Sequence, residues 1–145
     1  MSLRDAILGA WELASFVTVD APTGEERHPL GAAPRGLIMY TADGHMSAQL
    51  ADSDMGGYVA YGGRFTVIED TVDKDTVDKD TVNEETATVH HDVTLSMMPE
   101  LLSQPQFRQA RVDGDLLTLS ATTTDASGVE VNARLVWRRA PSQGG

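Results

Sequence analysis

Only two tryptophans occur in these 145 residues, and they bracket the chain. Trp11 sits in Gly9-Ala10-Trp11-Glu12-Leu13 and Trp137 in Arg134-Leu135-Val136-Trp137-Arg138-Arg139, each a terminal run with the character of a strand. Between them lie short strands and turns. A sheet that closes on itself brings its first and last strands together and leaves no exposed edge. The predicted architecture is therefore all-β: a single antiparallel eight-stranded up-and-down barrel with a short N-terminal helical lead-in over residues 3–9.

The strands follow from alternation and turn signals. Trp11, Leu13, Ser15 and Val17 alternate with Glu12, Ala14, Phe16 and Thr18, which predicts a first strand partly covered on both faces. Gly36 to Thr41 is the next strand. Asp43-Gly44 supplies a tight hairpin turn, since its central residues need positive φ. The returning strand, His45 to Leu50, puts His45, Ser47 and Gln49 on one face and Met46, Ala48 and Leu50 on the other. Tyr58 to Gly63 reads as a short helical turn leading into a strand over Arg64–Ile68, with Gly62 and Gly63 marking a bulge or a close backbone approach. Thr86 to Ser96 follows, with Val89, His91, Val93 and Leu95 on its apolar face. Strands over Phe107–Val112, Leu116–Thr123 and Val129–Arg138 complete the set, joined at Asp113-Gly114-Asp115 and Asp125-Ala126-Ser127-Gly128.

The pentapeptide Thr71-Val72-Asp73-Lys74-Asp75 recurs as Thr76-Val77-Asp78-Lys79-Asp80 and, altered, as Thr81-Val82-Asn83-Glu84-Glu85. A period of five alternates faces in a strand and keeps no helical stripe. It reads as an expanded acidic hairpin, residues 71–85, inserted in a single domain spanning 1–140, with 141–145 a disordered tail. The repeat holds the only two lysines, so a buried Schiff-base lysine is not expected.

Composition narrows the chemistry. No cysteine is present, which excludes disulfides, thiolate metal sites and cysteine nucleophiles. A net charge of −11 disfavours nucleic acid and anionic membrane surfaces, and its plainest meaning is solubility. No apolar run approaches the length of a membrane span, and the early charges of the N-terminus are unlike a secretory signal, so a cytoplasmic location is expected. No metal and no cofactor are expected. Adjacent His90 and His91 point to opposite faces of a strand, no third ligand joins His45 and His91, and the Asp-Lys-Asp repeats lack the glycine and glutamate spacing of a calcium loop. No Gly-x-Ser-x-Gly elbow or phosphate-cradling loop occurs.

The chain resembles the bacterial lipocalin-like domain family, small stand-alone calycin-type barrels often associated with secondary metabolism. The resemblance covers nearly the whole chain. It rests on Gly9-x-Trp11-x-Leu13-x-Ser15-Phe16, on Gly36 to Thr41 followed by Asp43-Gly44-His45-Met46-Ser47, and on Tyr58-x-Ala60-Tyr61-x-Gly63-Arg64-Phe65. His90-His91, Ser96-x-x-Pro99, Asp113-Gly114-Asp115-x-Leu117-Thr118-Leu119-Ser120 and Ala133 to Arg138 complete it. The repeat at 71–85 departs from the short turn expected there. The resemblance implies a barrel with a cavity. Similar barrels bind small hydrophobic molecules, and some related ones catalyse cyclisation or isomerisation of polyketide-like substrates. It also implies a terminal-strand arginine, Arg138 or Arg139, stacked on Trp11 at the closed end.

Within that barrel His91, on an apolar face, is either a hydrogen-bonded core histidine or a ligand and acid–base group. The face of His45, Ser47 and Gln49 either lines a polar pocket or is the solvated side. His28 lies in a loop. Tyr61 and Arg64 fall on opposite faces, and Tyr61 is the one expected inside; Arg108 is opposite in parity to Phe107. The candidate catalytic residues are His91, His45 and Tyr61. The candidate ligand contacts are Tyr40, Met46, Gln49, Tyr61, His91, Arg108 and Trp137. The expected function is binding of a small, partly apolar molecule, polyketide-like or aromatic and carboxylic. The alternative is a cyclase or isomerase using His/Tyr proton transfer in the same cavity, and a third reading makes the acidic hairpin a docking element for a basic partner. Whether the protein forms a homodimer is left open by the sequence.

Overall fold

The computed structural model describes residues 3–52, 58–69, 84–97, 106–124 and 128–140. Helix α1 (Leu3–Ile7) leads into β1 (Gly9–Asp20), followed by the two-residue β2 (Glu26–Arg27), β3 (Arg35–Tyr40), β4 (His45–Ala51), β5 (Tyr58–Glu69), β6 (Glu84–Ser96), β7 (Gln106–Asp113), β8 (Leu116–Thr124) and β9 (Glu130–Arg139). Each long strand pairs antiparallel with the next in sequence, and β1 pairs with β9 from Trp11↔Arg139 to Asp20↔Val131. The sheet is thus a closed eight-stranded barrel, with β2 as a short extra rung on the far end of β1. Gly44 and Gly114, at φ +93° and +60°, turn the two tight hairpins marked by Asp-Gly in the sequence.

The inward faces carry the core. Trp11, Leu13, Ile38, Tyr40, Met46, Ala48, Phe65, Val89, Leu117 and Trp137 are all buried. Helix α1 closes one end, burying Leu3, Ala6 and Ile7, and Trp11 Nε1 donates to the Ile7 carbonyl at 2.9 Å. The opposite end lies at Asp20, Arg35, Ser96 and Gln106.

The structure corrects the sequence reading in three places. Residues 58–63 form no helical turn; they belong to the continuous strand β5. The pairing Gly62↔Leu95 and Gly63↔Val93 leaves Thr94 as an extra residue in β6, so strand parity flips there. Leu95 consequently leaves the face of His91 and Val93 and is 76% exposed. A second bulge at Ala14, between Leu13↔Trp137 and Ser15↔Val136, turns Phe16 rather than Ser15 toward the core. Gly63 is also a close backbone approach: a Cβ there would lie 2.1 Å from the Asp92 carbonyl oxygen. Of the repeat, Glu84 and Glu85 open β6; its other residues, Met98 to Leu102 and the 141–145 tail lie outside the described residues.

Candidate functional site

Three inward-facing polar side chains meet in the barrel. Tyr40 comes from β3, Tyr61 from β5 and His91 from β6. The Tyr40 hydroxyl lies 2.7 Å from His91 Nε2, and the Tyr61 hydroxyl 3.3 Å from His91 Nδ1. His91 is 1% exposed and Tyr40 is also buried, while Tyr61 is half-buried. A neutral imidazole offers one N–H and one bare nitrogen, so one tyrosine donates to His91 and the other accepts from it. Among the described residues the Tyr40 hydroxyl meets no polar side chain other than His91. A buried hydroxyl proton left without an acceptor is costly. Tyr40 therefore donates to Nε2, His91 carries its proton on Nδ1 and donates to Tyr61, and the Tyr61 O–H remains available to another acceptor.

Burial, followed by the Arg108 and His90 charges, pushes the His91 pKa down from 6.5 to about 3, which keeps the ring neutral. Burial raises the Tyr40 hydroxyl well above its ordinary value; the nearby Tyr61 adds to this and Arg108 opposes it. Burial likewise raises Tyr61 against the pull of Arg108. The line Tyr40–His91–Tyr61 is thus a set of uncharged groups under the field of one guanidinium.

Arg108 shares the inward parity of Gln106, Ala110 and Val112, while Phe107 and Gln109 face out. Its Nη1 donates to the Phe107 carbonyl at 2.9 Å and its Nη2 to Gln106 Oε1 at 3.1 Å. Among the described residues no carboxylate pairs with it. Around this cluster, Phe65 packs edge-on against Tyr40 with centroids 4.9 Å apart, and Arg4 of α1 lies over Phe65 at 5.6 Å. Met46 is buried next to Tyr40 in the β3–β4 register. Trp137, on β9, is 1% exposed, and its Nε1 has no hydrogen-bond partner among the described residues.

The other candidates sit elsewhere. His45 is on the outer face, its Nδ1 3.2 Å from Asp43 Oδ1. The Thr41 hydroxyl, and then His45, hold the Asp43 carboxyl below its ordinary value. Gln49 shares that outer face and is exposed, so the His45, Ser47 and Gln49 side is not the lumen. His90 also faces out, where its ring stacks on Phe107 with centroids 4.6 Å apart. His28 is exposed. Phe65, Gln106 and Arg4 were not singled out from the sequence. The first two share the parity of Tyr61 and Arg108, a signal that would have found them; nothing local marks Arg4.

Among the described residues, concavities open on the barrel wall in at least two places. One, of about 530 Å³, lies where β1 and β3 separate; another, of about 570 Å³, spreads over the outer faces of β1, β8 and β9. Among the described residues no group of three histidine, aspartate or glutamate side chains could hold a metal ion, and no helix is long and apolar enough to cross a membrane.

A family model described as a lipocalin-like domain matches the chain over residues 8–56 and 52–140. No curated protein matches it.

Proposed function

The chain belongs to the lipocalin-like domain family, and on that premise we propose that it binds a small, partly apolar molecule within the barrel. The ligand's carbonyl or carboxylate meets the Tyr61 hydroxyl and the Arg108 guanidinium. One observation carries this reading: Tyr61 on β5 and Arg108 on β7, inward-facing on either side of β6, lack a full set of acceptors among the described residues, and one of them is a cation that no carboxylate there pairs with. Charge-assisted donors of this kind select an anionic or strongly accepting group. The apolar body of the molecule then lies along Met46 and Trp137, whose indole N–H offers a further donor. Polyketide-like and aromatic carboxylic acids have this character.

A second reading, a cyclase or isomerase moving a proton through His91 and Tyr61, draws on the continuous line of hydrogen bonds from Tyr40. The protonation states weigh against it. General acid–base groups work best with a pKa near the working pH, whereas His91 sits at about 3 and burial drives both tyrosines upward. Groups tuned this way hold and orient a ligand better than they exchange protons with it. His45, on the outer wall, takes no part in either reading.

The test is a thermal-shift comparison of aromatic and medium-chain carboxylic acids with their amides, on the native protein and on Arg108→Gln. A bound acid at about 100 times its Kd should stabilise the fold by about 2.7 kcal/mol. Arg108→Gln should erase the preference for acid over amide. Failure of every acid and every amide to stabilise the native protein would end the proposal.

A further inference from the structure

The barrel is joined incompletely between its first and third strands. β1 pairs with β3 from Gly9↔Tyr40 to Glu12↔Leu37 and no further. Its next partner on that side is β2, at Thr18 and Val19. Over residues 13–17 that edge of β1 therefore has no ladder, and across the gap Arg35 and Gly36 pair with β4 alone.

The 530 Å³ pocket lies at this divergence. Its lining is unusual for a surface hollow. Leu13, Gly36 and Leu50 belong to the inward faces of their strands, while Glu12, Leu37 and Gln49, on the same strands, belong to the outward faces. A hollow lined from both faces of one sheet passes into the wall rather than resting on it. Gly36 keeps this passage narrow in backbone but free of a second side chain: a Cβ there would stand 3.0 Å from Leu13 Cβ. The Leu13 side chain is left as the movable barrier.

We propose that a ligand enters the barrel through this breach between β1 and β3, and that it is a flat, apolar anion. The walls of the passage are largely apolar, with Leu13, Leu37, Leu50 and Tyr58 among them. At its rim Arg35 is exposed, and its guanidinium makes no hydrogen bond or ion pair among the described residues. An unpaired guanidinium on a chain of net charge −11 is a local attractor for an anion. The inference rests on the reading that the ligand is held inside, at Arg108 and Tyr61.

The chain has no cysteine, so Gln49→Cys creates one addressable thiol on the outer rim of the passage. The probe is anilinonaphthalene sulfonate, a flat aromatic anion, followed by stopped-flow fluorescence. A bulky aromatic disulfide attached at position 49 should slow both association and dissociation about tenfold while leaving Kd within about twofold. Reductant should restore both rates. The same label on Thr66→Cys, an exposed outer position of β5 away from the passage, should change neither. Unchanged rates with the label at 49, in a protein whose dye affinity still falls in Arg108→Gln, would overturn the entrance and leave interior binding standing. Loss of affinity with the label at 49, combined with indifference to Arg108→Gln, would place the dye in the breach itself and overturn both.

Discussion

The Arg139 guanidinium lies over the Trp11 indole, its central carbon 4.1 Å from the ring centroid, while its two terminal nitrogens donate to the Ala6 and Leu8 carbonyls at 2.8 and 3.1 Å. One side chain from the last strand thus grips the first strand and the end of α1 together. Parity selects Arg139 over Arg138, which faces out. The arrangement uses a guanidinium's planar face and its forked donors at once.

Arg139→Ala should therefore destabilise the protein by about 2–3 kcal/mol in urea denaturation, the stack and two charge-assisted hydrogen bonds being lost together. Arg139→Lys should recover less than half of that, because a single ammonium cannot stack on Trp11 and serve both carbonyls. A full rescue by lysine would mean that charge alone matters at this position.

Removing the Tyr40 hydroxyl should cost more than removing that of Tyr61. Tyr40→Phe leaves His91 Nε2 buried without its donor, a loss of about 1–3 kcal/mol. Tyr61→Phe, at 3.3 Å and half-buried, should cost under about 1 kcal/mol while weakening acid binding. Equal destabilisation in equilibrium unfolding would contradict the hydrogen-bond direction assigned to His91.

Acid sensitivity should trace to His91. Its folded pKa, about 3, lies below the ordinary 6.5. Above pH 6.5 both folded and unfolded forms are neutral and the group contributes no pH slope. Below it the unfolded chain takes up a proton that the fold refuses, so stability falls as the pH drops from about 6.5 toward 3. The full shift corresponds to an upper limit of roughly 5 kcal/mol. His91→Gln, uncharged in both states, should flatten the stability profile between pH 6.5 and 4; an unaltered slope would assign the acid sensitivity to other groups.

Gly63→Ala should be among the most damaging single substitutions. The added methyl would meet the Asp92 carbonyl oxygen at 2.1 Å and the Thr94 nitrogen at 2.9 Å, both backbone atoms beside the β6 bulge. Strain of that kind should cost more than about 3 kcal/mol, and a near-native thermal midpoint would show that the bulge can slide.

Closure of the barrel and the hairpins at Asp43-Gly44 and Asp113-Gly114 were legible because turn chemistry and alternation are local signals. The same alternation put His91 on the apolar face of its strand and Met46 opposite His45 and Gln49, without fixing which face of either strand points inward. What escaped the sequence was the register. The bulge at Ala14 carries no composition of its own, and Gly62-Gly63 marked an irregularity without showing that the extra residue is Thr94 on the facing strand; each bulge reverses every face beyond it, which is why Phe16 and Leu95 changed sides. The side of His45 and Gln49 was equally undecidable from alternation alone, since a polar face suits either solvent or a polar lumen. The meeting of Tyr40, Tyr61 and His91 depends on strands far apart in sequence, and only the sheet order brings them into reach.

A ring of strands bonded all the way round has a circumference set by its strand count and stagger. This one is a split ring. Four rungs hold β1 to β3 at the plugged end, and none spans the joint beyond Glu12↔Leu37. Widening the gap breaks no rung, so girth beyond the joint, away from the plugged end, can change by flexure of two strands about their joined roots. Beyond that joint the wall can thus flex as a clip does, with its hydrogen-bonded ladders intact.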